Sequence, residues 1–125
     1  MISAAVFCLS MAIYYEARSE PLVGQIAVGQ VIMNNVNWKQ DKVCKKVYQP
    51  GFLSSLNEIR AVPAENNKAW QMANNAAKHA LKWGRKYDIT GGADHFDMVN
   101  ANPWWKRHCE VTLIINGHFF CKEIT

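Results

Sequence analysis

From Ile2 to Tyr15 the chain is apolar at every position except Ser3 and Ser10, and a carboxylate, Glu16, follows at once. Such a run predicts a helix over residues 3–18 that is dry on nearly every side. A helix of that kind lies at the centre of a fold and not across its surface. It is too short to span a bilayer, which takes roughly 18–20 apolar residues, so no stable membrane insertion is expected. Neither a Lys/Arg-rich start nor an Ala-x-Ala-like cleavage site marks it as a signal peptide. The expected product is made in a cytoplasm without an export signal of its own.

Pro21 cannot donate a backbone hydrogen bond, so it fits the start of a second helix better than the interior of the first. Ser19 is then the expected N-cap. Over residues 21–36, Leu22, Ile26, Met33 and Val36 recur at helical spacing, with Val23, Ala27 and Val31 beside them. Gly24 and Gly29 each cost about 1 kcal/mol against Ala in a helix, which close approach to the first helix would offset. Gln25 sits one turn in, within reach of the Glu16 end. Asn34, Asn35 and Asn37 are expected to fray the C-terminus. Val43 to Tyr48 reads as a short helical turn. Gln49 to Ser55 is a polar loop with a Pro-Gly turn signal, either a groove wall or a surface connector.

A third helix is expected over 64–83, after Pro63, with Ala69, Ala73, Ala76, Ala77 and Ala80 as a small-residue face and Gly84 as its C-cap. The period then changes. Gly91-Gly92 is a turn, and Ala93 to Met98 alternates weakly. Val111–Ile115 and His118–Cys121 flank Asn116-Gly117, a type I′ hairpin signal. At 125 residues the chain is large enough for one core. The expectation is a single α+β domain over 1–125, mostly α, with a small C-terminal β-hairpin.

The net charge is +4, spread over several Lys/Arg clusters, which favours anionic surfaces or simply solvates the protein. Four cysteines allow three pairings, and spacing does not choose among them. Cys8, inside the apolar helix, reads as a buried thiol, and Cys44 and Cys121 are able to pair in an oxidising compartment. No C-x-x-C pair and no H-x-x-x-H pattern supports a zinc site. A Cys–His nucleophile would need Cys44 or Cys109 beside His95, His108 or His118, which spacing does not show. Scattered histidines of this kind are expected to be satisfied polar residues.

Glu16 is the candidate for chemistry. At a helix C-terminus it faces the negative end of the macrodipole, and a dry flank disfavours its charged form. Both effects push a carboxyl toward the range a general acid needs. Arg18, two residues on, should point away from it. Glycoside cleavage usually needs a second carboxylate. Glu20 is nearest but better suited to a structural or groove-orienting role. Asp94, Asp97 and Glu58 are the other possible partners. Asn102-Pro103-Trp104-Trp105-Lys106-Arg107 is an aromatic-basic loop, fit either to stack on sugar rings or to plug the core.

The run Ile13-Tyr14-Tyr15-Glu16-Ala17-Arg18-Ser19-Glu20-Pro21, with Gly24-Gln25-Ile26-Ala27-Val28 and Val31-Ile32-Met33-Asn34, resembles the signature of the SleB/CwlJ cell-wall hydrolases. The likeness continues through Val43-Cys44, Val47 to Phe52, Gly91-Gly92-Ala93, His95-Phe96, Pro103-Trp104 and Gly117-His118-Phe119-Phe120. Ser19 stands where that family has Gly, and Asn35 where it usually has Arg. The Phe52-Leu53-Ser54-Ser55 loop lacks the family's Trp. The resemblance implies a lysozyme-like or lytic-transglycosylase-like fold that cuts peptidoglycan between N-acetylmuramic acid and N-acetylglucosamine. It makes Glu16 the catalytic acid and implies no cofactor and no metal.

The resemblance also suggests how one carboxylate suffices. The muramyl 6-hydroxyl attacks C1, and Glu16 serves first as acid and then as base. Glu20, Gln25, Gln49, Phe52, Ser54, His95 and Phe96 are the expected groove residues. The expected partner of a monomeric protein is the glycan strand, with no nucleic acid. The bare domain is more like a bacteriophage endolysin, reaching the wall through a holin. Two alternatives stay open: a true muramidase in which Asp94 or another carboxylate activates water, and a basic wall- or nucleic-acid-binding module.

Overall fold

The computed structural model describes residues 2–124. The apolar run forms helix α1, Ala4–Ala17, opened by Ser3, whose hydroxyl accepts the Val6 N–H at 3.1 Å. Leu9, Ala12 and Ile13 have no exposed surface, and Ser10 survives at this depth by donating its hydroxyl back to Val6 O at 2.6 Å. The chain turns at Ser19-Glu20 and enters helix α2, Leu22–Asn35. The cap position there is Pro21 and not Ser19, which is left exposed. Pro21 supplies only its carbonyl, to Gln25 N–H at 3.0 Å, and no side chain caps the helix.

A short helix α3, Val43–Val47, follows, and then helix α4, Lys68–Trp83. Helix α4 starts later than Pro63 suggested, because the Asn67 side chain accepts the Trp70 N–H at 3.0 Å and fixes the first turn. It ends as expected at Gly84, whose φ of +69° needs a residue without Cβ. Ala73, Ala76, Ala77 and Ala80 are fully buried and let both longer helices approach α4 closely. Trp70 fills the remaining gap edge-on to Phe7 and Tyr14, each at 6.0 Å between ring centres.

Of the two helical glycines, only Gly29 meets the first helix. A Cβ there would lie 3.2 Å from Ala80 Cβ and 3.4 Å from Ile13 Cδ1. Gly24 instead faces Ile115 and Glu20.

The predicted hairpin gains a third strand. Strands β1 (His95–Met98), β2 (Cys109–Ile115) and β3 (His118–Glu123) form an antiparallel sheet in the order β1-β3-β2. A register irregularity falls between Val111 and Leu113. The mostly α fold with a small antiparallel sheet is the class expected from sequence.

The turn is not type I′. Asn116 has φ +47°, but Gly117 is not in the left-handed region, because tertiary bonds hold it. Gly117 N–H donates to Glu20 Oε1 at 3.1 Å, and Gly117 O accepts Val99 N–H at 2.9 Å.

The cysteine expectations are corrected. Cys8 is not a thiol but is joined to Cys44, and Cys121 pairs with Cys109 and not with Cys44. The first bond ties α1 to α3, and the second ties β2 to β3. Among the described residues no helix is long and apolar enough to cross a membrane.

The Gly29 contact gives a direct test. Gly29→Val would push a branched side chain against Ala80 Cβ and the methyl ends of Ile13 and Leu9, and should cost about 1–3 kcal/mol of stability. Urea unfolding read by circular dichroism should show the loss, and an unchanged midpoint would contradict this packing.

Candidate active site

Helix α1 is dry until its last turn, where Glu16 emerges half-buried into a groove of about 640 Å³. Val31 and Asn35 of α2 line it beside Glu16. One wall is Lys46 with the loop Gly51–Ser54. The other is Asp94 to Met98, with Trp104, Trp105 and His118.

Glu16 is held by a hydroxyl. Ser55 Oγ lies 2.7 Å from its Oε1, which suits a carboxyl in either protonation state because a hydroxyl both donates and accepts. Arg18 turns away, as its spacing implied, and stacks over the Tyr14 ring at 5.0 Å. Among the described residues no cationic group lies within ion-pair distance of Glu16.

The loop wall is anchored from below. Leu53 and Leu56 are buried, and Gly51, at φ +84°, donates its N–H to Asn57 Oδ1 at 2.9 Å. Phe52 is left half-buried, with Lys46 Nζ 4.6 Å from its ring centre. Ser54 is exposed on the same wall. Behind this wall, Tyr15 donates its hydroxyl to Ala61 O. The nearby Tyr48 hydroxyl is pushed above the usual tyrosine range, first by partial burial and then by Tyr15.

The opposite wall is bolted to α2 through side-chain amides, Gln30 buried and Asn34 and Asn35 half-buried. Gln30 Nε2 donates to Tyr87 O at 3.0 Å, and its Oε1 accepts Ile89 N–H at 3.1 Å. Asn34 Nδ2 donates to Asp88 Oδ2 at 3.0 Å and to Ala93 O at 2.9 Å. Asn35 Nδ2 donates to Asp94 O at 2.9 Å. The Asp88 carboxylate also accepts the N–H groups of Thr90 and Gly92, both at 2.9 Å. The helix ends at Asn35, where the asparagines placed its C-terminus, but Asn34 and Asn35 do not fray it; their side chains satisfy the backbone of the segment that leads into β1.

That segment delivers Asp94 and His95 to the groove. His95 Nδ1 lies 2.8 Å from Asp94 Oδ1, which also accepts Glu123 N–H at 3.0 Å. The His95 ring packs against Trp105, with ring centres 4.7 Å apart. Trp104 stands largely free, 75% exposed, at the groove mouth. The arrangement is a trough with flat aromatic faces, several polar groups and three carboxyls, Glu16, Asp94 and Asp97, suited to a chain of sugar rings.

Of the residues expected from sequence, Glu16, Phe52, Ser54, His95 and Phe96 line one groove. Glu20, Gln25 and Gln49 do not. Glu20 is buried against the hairpin turn, where its two oxygens accept from Gly117 N and Asn116 Nδ2. Gln25 has no exposed surface, and its Nε2 donates to Glu20 O at 3.1 Å. Gln49 is exposed and shapes the loop through its carbonyl, which accepts Phe52 N–H at 3.1 Å.

Lys46, Asn35 and His118 were not anticipated in the groove. The signal for His118 was strand period: it shares a face with the core residue Phe120, two positions on. It is also not a satisfied histidine, since its buried Nδ1 has no hydrogen-bond partner.

A family model for cell wall hydrolases matches residues 19–121. The spore cortex-lytic enzyme of Halalkalibacterium halodurans is 31% identical over 118 residues, covering 90% of this chain and 33% of that protein. That of Oceanobacillus iheyensis is 29% identical over 118 residues, covering 91% and 40%. The chain thus spans about a third to two-fifths of the length of these relatives. Among solved structures, the catalytic domain of the Bacillus cereus SleB protein superposes with a TM-score of 0.74 at 27% identity, covering 98% of this chain and 93% of that one. The catalytic domain of the germination-specific lytic transglycosylase SleB from Bacillus anthracis gives 0.72 at 26%, covering 97% of each chain.

The amide staples predict a local effect. Asn34→Ala leaves the Ala93 carbonyl and the Asp88 carboxylate short of a donor, and should cost about 1–3 kcal/mol. Hydrogen exchange should speed up at Thr90 and Gly92 ahead of the helices. Unchanged exchange there would show that the loop does not depend on α2.

Proposed function

Because the chain belongs to the cell wall hydrolase family, we propose that it is a peptidoglycan glycosidase that cuts the β-1,4 bond between N-acetylmuramic acid and N-acetylglucosamine. The observation that carries this is Glu16: a half-buried carboxyl at the end of an apolar helix, opening into a trough and held by a hydroxyl in place of a cation. The match to a solved domain named as a lytic transglycosylase supports the same reaction.

In the proposed cycle, protonated Glu16 gives its proton to the O4 of the leaving N-acetylglucosamine as the C1–O4 bond breaks. Positive charge develops at C1 of the muramyl sugar. The Glu16 carboxylate then takes the proton of the muramyl 6-hydroxyl as that oxygen bonds to C1, closing a 1,6-anhydro ring. Protons balance over the cycle, and Glu16 returns to its acid form. No second carboxylate and no water enter. Phe52, Trp104 and Trp105 supply faces for sugar rings, and Ser55 fixes the direction of the Glu16 proton.

A hydrolytic reading keeps one observation in its favour, since Asp94 and Asp97 line the same groove. Asp94 Oδ1, however, is engaged by both His95 and the Glu123 amide, and Asp97 Oδ1 accepts its neighbour's Met98 N–H. Those bonds favour structural roles over the activation of water. The two disulfides fit work at the wall, in an oxidising compartment.

Two measurements test the proposal. Glu16→Gln keeps the shape but has no proton to exchange, and should lower the rate of turbidity loss of purified sacculi by at least about 100-fold. Retention of wild-type lysis would remove Glu16 from the mechanism. Mass spectrometry of the wild-type digest should show 1,6-anhydromuramyl ends, whereas reducing muramyl ends would select hydrolysis.

A further inference from the structure

His118 and Glu20 are a second pair of ionisable groups beside the groove that the cycle above does not use. Both side chains are more than nine-tenths buried, and His118 Nδ1 stands 3.7 Å from Glu20 Oε1. Buried polar atoms without a partner are rare in native structures and call for an explanation. Among the described residues Nδ1 has no hydrogen-bond partner, and the ring is packed edge-on to Phe96 at 5.4 Å and to Phe120 at 6.3 Å.

The ring nevertheless forms part of the groove lining. Nδ1 is enclosed while the residue lines the groove, which leaves Nε2 as the ring nitrogen to face the trough. Nε2 is not among the enclosed unpartnered atoms.

We propose that His118, oriented by Glu20, reads the 2-acetamido group of a sugar bound in the groove. This rests on the glycan-binding reading above and adds its specificity. A carboxylate facing Nδ1 favours the proton on that nitrogen, because only a donor is stabilised there. Nε2 is then a pure acceptor. An acceptor rimmed by the Phe96 ring suits an acetamido group, which offers one N–H donor beside an apolar methyl. A hydroxyl in its place has no methyl and turns its proton to water when the acceptor is lost, whereas the amide N–H has a fixed direction and is left unpaired. Glu20 is a positioning residue: its oxygens already hold the Asn116-Gly117 turn, so the strand that carries His118 and the charge that orients its ring come from one side chain.

The test uses the full chain with Glu16→Gln, so that ligand is bound and not cut. Two β-1,4 oligosaccharides serve as probes: one of N-acetylglucosamine, and one of glucose with a hydroxyl in place of each acetamido group. The protein should prefer the acetylated chain. His118→Asn, too short to reach, should lower that preference by about 5- to 10-fold, the effect of one lost hydrogen bond. His118→Gln, whose amide oxygen reaches the Nε2 position, should restore part of it.

Imidazole nitrogen shifts in the free protein should place the His118 proton on Nδ1, and Glu20→Gln should mix the two tautomers and weaken the preference. That variant carries the test if His118→Asn fails to fold. A full preference retained in His118→Asn, or a proton found on Nε2, overturns the proposal. Failure of the wild-type chain to cut sacculi would instead overturn the glycosidase reading, and the binding contrast between the two oligosaccharides would still decide the role of His118.

Discussion

A helix that is dry on nearly every side cannot be moved, tilted or exposed without cost, and the rest of the molecule is arranged around that constraint. Leu9, Ala12 and Ile13 are sealed by α2 and α4, and the fit is close enough that Gly29 and Ala80 share one contact. The apolar run stops one residue before Glu16, so the seal opens there too. A carboxyl at that point has a rigid backbone behind it and a trough in front. Burial of the preceding turns fixes its position to a degree that a loop residue could not match.

The second constraint is polar. Helix α2 buries Gln30 fully and seats Asn34 beside it on one side, an arrangement that an apolar helix would not tolerate unless each amide found its partners. Their partners are the backbone groups of residues 87–93, a segment with no regular hydrogen bonding of its own. Each side satisfies the other. The outcome is a loop held by two turns of helix, and it delivers Asp94, His95 and the first strand to the wall that faces Glu16. One groove wall is therefore set by α2, while the carboxyl is set by α1, and the helix packing determines the width between them.

The sequence was legible where periodicity and composition speak. The run before Glu16, the helical spacing from Leu22 to Val36 and the alanine face of α4 each reported a local preference that the fold kept, and Asn-Gly marked the place of the hairpin turn. It was less legible where a residue's role depends on a distant partner. Asn34 and Asn35 read as helix-ending residues, since amides compete with helix bonds locally, yet long-range carbonyls give them better acceptors. Asn116-Gly117 signalled a type I′ turn, but Glu20 holds the Gly117 amide and selects another. Gln25 read as reaching the Glu16 end because it lies one turn into the second helix; its side chain turns inward to the Glu20 carbonyl. The cysteine pairs could not be derived from spacing, because α1 and α3 meet only through the packing of the whole helical layer.

Glu20 shows how such long-range roles accumulate on one residue. As a residue of the α1–α2 turn it is fixed by the two helices, with its N–H closing on Ala17 O at 2.9 Å. Its side chain reaches across to the hairpin and accepts the donors of a turn nearly a hundred positions away. The sheet is thereby located relative to the end of α1, and His118, which opens β3, comes to lie along the same trough as Glu16. A buried carboxylate is costly unless donors surround it, and the turn provides them. Removing those donors would leave a buried carboxylate unpaired and loosen the hairpin turn from the end of α1, while Asn34 and Asn35 still hold the start of β1 to α2. The Glu-Ala-Arg-Ser-Glu segment is thus one device with two outputs, a carboxyl exposed to the groove and a second carboxyl that holds the opposite wall in reach of it.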